Sequence, residues 1–150
     1  MSFFSAIFPP DDVVEELHDA LRPVRAAHPR LRWVRPARWH VTVRFFGEVE
    51  PTRPLDGLDR VTAPVLRLRG SGTFRHVLWI GVDGPLAELG EAARVPPDWR
   101  PHLTVARGAG LPHVEFTGRE WTATEVALVR SRPAEGYAVL DRVPLSTSNA

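Results

Sequence analysis

The chain has 150 residues and a formal net charge of +1, enough for one domain that buries a core unaided. It has no cysteine, which excludes a disulfide framework, a thiolate nucleophile and the common thiolate zinc sites. No run approaches the roughly 18 apolar residues of a membrane span, and Met1–Phe8 lacks the features of a secretory signal, so a cytoplasmic protein is expected.

In chain order, Phe3 to Phe8 reads as a strand ended by Pro9 and Pro10. A helix follows, with Asp12 as N-cap, Glu15 completing a capping box, and Val13, Leu17, Ala20, Leu21 and Val24 on one face. Pro23 predicts a kink there or an end near Leu21, and His18 is expected on the solvent side. Leu31 to Arg35 reads as a strand, and Pro36 to Arg38 turns the chain into a further strand, Trp39 to Phe46.

Between Asp19 and Glu48 there is no acidic residue, whereas Arg22, Arg25, Arg30, Arg32, Arg35, Arg38 and Arg44 fall there. Guanidinium groups clustered in this way suit phosphate, and they equally suit a solvated surface. Residues 50–64 suggest two helical turns. Val65 to Arg69 alternates like a strand, Gly70-Ser71-Gly72 reads as a turn, and Val77 to Val82 is an apolar strand. A short helix over Leu86 to Ala93, a strand from Pro101, and strands over Thr122 to Arg130 and Tyr137 to Leu145 complete an α+β pattern. The expected organisation is a single domain over 1–145 with a mobile tail, 146–150.

One pattern occurs twice. His40-Val41-Thr42-Val43 returns 62 positions later as His102-Leu103-Thr104-Val105. On a strand, alternate residues share a face, so each His and its Thr project together while the aliphatic residues anchor the core. Two imidazoles facing one another across a groove supply an acid and a base near neutrality, and the two hydroxyls can donate to an anion. By the same parity Arg44 joins His40 and Thr42 as an anion-binding candidate. Phe45 is assigned to the core side, and Arg107 falls opposite His102 unless its strand twists or ends near Ala106. Trp39, Trp79 and Trp99 could stack a base or pack in the core.

These motifs, with Phe46-Gly47, Pro101, Arg107, Val77-Leu78-Trp79-Ile80-Gly81, and the run Glu125, Leu128, Ser131, Tyr137, Leu140, resemble the two-histidine phosphoesterases. Within that group they are similar to the RNA 2',3'-cyclic phosphodiesterases once named 2'-5' RNA ligases. The resemblance implies a bilobal fold of two pseudo-symmetric lobes, each an antiparallel sheet flanked by helices, with a metal-independent, cofactor-free site in the central groove. It implies that His40 is the proton donor and His102 the acceptor in hydrolysis of a 2',3'-cyclic phosphate RNA end to a 2'-phosphomonoester, with weak reverse ligation. Arg107 is implied as a phosphate contact, and His76, beside Arg75, stands where the family commonly has a basic residue at the substrate rim. The segment between Gly81 and Pro101 is shorter than usual for the family.

The expected partner is RNA or a nucleotide with a cyclic phosphate end, and the expected state is a monomer away from membranes. Three alternatives stay open on the residues: a metal held by His40, His76 and His102, a non-catalytic RNA-end binder, and the same chemistry on 2'-5' oligonucleotides or another small cyclic phosphodiester.

Overall fold

A computed structural model describes residues 1–147; of the expected tail, 148–150 lie outside the described residues. Among the described residues, nine strands form one antiparallel sheet: β1 (Ser2–Ile7), β2 (Arg32–Trp33), β3 (Val41–Gly47), β4 (Val65–Phe74), β5 (Val77–Asp83), β6 (His102–Arg107), β7 (Thr117–Thr122), β8 (Glu125–Arg132) and β9 (Gly136–Pro144). Their order is β7-β4-β5-β6-β3-β1-β8-β9, with β2 paired to β6. The two motif strands are therefore central neighbours. They meet at Val41 and Leu103, both fully buried.

The α+β expectation holds, with helices few. α1 (Asp11–Ala27) lays Val13, Leu17 and Leu21 into the core, and each such burial stabilises by about 1.5–3 kcal/mol. It begins two residues earlier than predicted. Pro10 is its N-cap, and Asp12 accepts from the Val13 amide instead of forming a capping box. It also runs through Pro23. The proline lacks the N–H that would meet the Asp19 carbonyl, but Asp19 is exposed, so water can satisfy that oxygen. His18 is half-buried rather than solvent-facing, its ring edge-on to Trp39 at 6.3 Å.

Three other expectations change. Gly70 to Gly72 is no turn: β4 continues to Phe74, with a break in register between Leu68 and Ser71 and a left-handed φ of +70° at Gly70, and the reversal comes at Arg75-His76. The strand expected over 122–130 is β8, beginning at Glu125, and β7 precedes it where no strand was expected, separated from it by Ala123-Thr124. Residues 50–64 supply only a single 3₁₀ turn, Leu58–Arg60. Ser146, placed in the expected tail, bridges Thr62 and exchanges backbone hydrogen bonds with Val61 and Ala63. The short segment before Pro101 holds α2 (Ala87–Ala92), and Trp99 pins that segment to the first motif by donating its indole N–H to the Thr42 carbonyl at 3.1 Å. No helix among the described residues is long and apolar enough to cross a membrane.

Candidate active site

One face of the sheet buries the main core. On the other face, a cavity of about 320 Å³ opens over β3 and β6. Its lining includes His40, Thr42, His102, Thr104, Arg107, Arg38, Phe45 and Tyr137, together with Ser2, Phe4, Val34 and Ser131. No carboxylate is among them. The electrostatics favour an anion, and the titratable groups that could move protons near neutrality are the two imidazoles.

The two histidines are held alike. Each Nδ1–H donates to the carbonyl two residues earlier, His40 to Arg38 at 2.8 Å and His102 to Arg100 at 2.7 Å. A carbonyl can only accept, so the proton sits on Nδ1 and Nε2 is the working nitrogen of each ring. In His40, Nε2 lies 3.0 Å from the Thr42 hydroxyl. The His40 ring stacks on Phe4 at 4.7 Å and meets Tyr137 edge-on at 5.5 Å, while Arg38 lies over the Tyr137 ring. His102 has Trp79 tilted beside it at 6.1 Å.

Burial lowers the His40 pKa below its ordinary value. The bond to the Arg38 carbonyl opposes this in part, and the positive charges of His102 and Arg107 push the same way as burial. His40 is therefore neutral in the free protein at neutral pH.

Simple strand parity fails just past each threonine, and the reason is the same in both motifs. Thr42 pairs with Ala6 and Arg44 with Ser5, leaving Val43 without a partner on β1. Thr104 pairs with Trp79 and Ala106 with Leu78, leaving Val105 without a partner on β5. One extra residue inverts every later side chain relative to the pleat. Arg44 consequently leaves the cavity face, reaching the Ala93 carbonyl at 3.5 Å and lying over Phe46. Phe45, assigned by parity to the core, lines the cavity and is 64% exposed. Arg107 turns onto the face of His102 and Thr104.

His76 is brought elsewhere. It is exposed at the β4–β5 turn, where its carbonyl accepts the Gly108 N–H, and it does not line the cavity. Of the seven arginines between 22 and 44, Arg38 alone lines it. Trp39 is buried and donates to the Val34 carbonyl, so it packs rather than stacks on a ligand. Sequence reasoning missed Phe45 and Ser2 as lining residues, and it did not single out Arg38 from the arginine cluster. The row Ser2, Ser131 and Tyr137, aligned across β1, β8 and β9, could be found only from register. Among the described residues, no three His, Asp or Glu side chains converge as a metal site.

The family model described as LigT like Phosphoesterase matches residues 7–81, half of the chain. An RNA 2',3'-cyclic phosphodiesterase of Methanothermobacter thermautotrophicus is 29% identical over 123 residues, covering 66% of this chain and 65% of that protein's length. Among solved structures, TT0787 of Thermus thermophilus is similar with a TM-score of 0.72 and 29% identity, covering 100% of both chains. E. coli LigT complexed with 3'-AMP is similar with a TM-score of 0.73 and 28% identity, covering 97% of each.

Proposed function

The chain belongs to the LigT-like phosphoesterases, and from that premise we propose that it is an RNA 2',3'-cyclic phosphodiesterase opening the cyclic end to a 2'-phosphomonoester. The observation that carries the reading is one cavity holding two His-Thr pairs and two arginines without a carboxylate. The name of the Methanothermobacter relative supports the substrate class.

In this reading the cyclic phosphate sits between the rings. His102 Nε2 takes a proton from water as its oxygen attacks phosphorus. The bond to the 3'-oxygen breaks, and His40 Nε2–H protonates that leaving oxygen. Proton transfers of this kind typically contribute about a hundredfold to ten-thousandfold each. The Thr42 and Thr104 hydroxyls donate to the non-bridging oxygens, where charge accumulates, and Arg107 adds a charge-assisted bond. On binding, a substrate oxygen replaces Thr42 as the partner of His40 Nε2.

A proton donor must carry its proton, and His40 is neutral in the free protein. The bound diester resolves this, because its negative charge offsets His102 and Arg107 and raises the ring's proton affinity. Phe45, exposed at the cavity rim, offers an aromatic face to the nucleobase. All these groups come from one chain, so the reading needs neither a second copy nor a metal. Reverse ligation of a 5'-hydroxyl uses the same groups with roles exchanged and is weak in water.

The test is hydrolysis of a panel of 2',3'-cyclic nucleotides and cyclic-ended RNA in chelator, with 2'- and 3'-monophosphates resolved. The 2'-monophosphate is expected. A 3'-monophosphate, or turnover abolished by chelator, contradicts the reading.

A further inference from the structure

The cavity face of the sheet extends beyond His102, across β5 and β4, and its register can be followed residue by residue. Thr104 pairs with Trp79, and Trp79 with Gly72; in the next row Arg107 pairs with Val77, and Val77 with Phe74. Cross-strand partners share a face, so Trp79 and Phe74 lie on the same side as the catalytic pair. Gly72 is what lets Trp79 lie flat there, because a Cβ at position 72 would overlap the six-membered ring of the indole.

On the other side of the cavity the apolar side chains of the same face are packed on one another. There Phe4, Ala6, Ala127 and Val129 form a small apolar cluster with Phe8 and Tyr137 packed on it. Beyond His102, by contrast, Trp79 is half-buried and Phe74 is 67% exposed. Cations border it. Arg75 stands over the Phe74 ring at 5.4 Å in a left-handed conformation, φ 55°, which a residue with a side chain seldom adopts, and Arg32 pairs with Arg107 at the cavity edge.

An exposed aromatic surface bordered by arginines and continuous with a phosphate site matches a single-stranded nucleic acid, whose bases stack while its backbone meets cations. We propose that Trp79 and Phe74 form a second nucleotide subsite, which holds the base preceding the cyclic end of an RNA strand, with Arg75 near its phosphate. This rests on the activity proposed above. The enzyme is then built for oligonucleotide ends in preference to cyclic mononucleotides.

The experiment compares kcat/KM for a 2',3'-cyclic mononucleotide and for a trinucleotide ending in the same cyclic nucleotide. The unsubstituted protein should prefer the trinucleotide. Phe74→Ala should lower turnover of the trinucleotide about 5- to 100-fold, from the usual worth of one stacked base, and leave the mononucleotide unchanged. Phe74→Tyr should restore the preference, and Arg75→Gly, which suits the backbone at that position, should lessen it most at low salt. Equal turnover of both substrates by the unsubstituted protein, or a Phe74→Ala effect that is nil or the same on both, overturns the subsite alone. Turnover of neither overturns the proposed activity and the subsite with it.

Discussion

Phe45 and Arg107 stand at the same place in the two motifs, each five residues after its histidine, and each reaches the cavity because an unpaired valine precedes it. The pocket is thereby asymmetric where its two histidines are held alike. A cation closes one side and an aromatic ring the other. In the proposed function, a diester bound between the rings is offered a phosphate contact by Arg107 and a flat apolar contact by Phe45.

Arg107→Ala should therefore lower kcat/KM by about 100-fold or more, on the order expected for one charge-assisted contact to the transition state. Arg44→Ala should stay within about threefold of the original, since Arg44 is turned to the opposite face and its side-chain hydrogen bond to the Ala93 carbonyl is long. Steady-state kinetics on both variants check the register break directly. A larger loss for Arg44→Ala would mean that the inversion at Val43 is wrong.

Phe45→Ala should raise KM for cyclic nucleotides by about 5- to 100-fold with a smaller effect on kcat, because stacking holds substrate and transition state alike. Phe45→Trp should retain affinity. Because the ring is exposed, the melting temperature should change little, and a thermal melt separates this outcome from misfolding.

The His-x-Thr pairs were legible because they rely only on alternation over three residues, which no bulge interrupts. Beyond them the sequence misleads: Val43 and Val105 are ordinary strand residues, and nothing in them announces that a neighbouring strand skips a partner. Arg44 and Phe45 were consequently assigned to each other's faces. Gly70-Ser71-Gly72 looked like a turn because glycine is the usual residue of reversals, yet here Gly70 serves a left-handed break in register and Gly72 makes room for Trp79. β7, Thr117-Gly-Arg-Glu-Trp-Thr, escaped notice because only Gly118 and Trp121 are buried. Its place comes from pairing with β4 and from Arg119, which reaches Glu16 and Asp12 of α1.

The depressed pKa of His40 carries a sign. In the free protein its ring should titrate below about 6.5 by NMR, and a bound phosphate monoester should move it upward. By linkage, anion binding takes up a proton, so affinity strengthens as pH falls toward the free pKa. The same depression makes protonation harder in the folded chain than in the unfolded one. Stability attributable to this ring is full above the unfolded value near 6.5 and is lost as pH falls through the folded pKa. His40→Asn should accordingly lose less stability than the original on acidification, as denaturant titrations at several pH values would show.

The most direct measurement is turnover of a 2',3'-cyclic nucleotide by His40→Ala and His102→Ala, each checked for an intact fold by circular dichroism. Each substitution alone should reduce kcat by about a hundredfold to ten-thousandfold, the usual worth of one positioned proton transfer. Near-original turnover in either folded variant would contradict a mechanism in which both rings act on one phosphate.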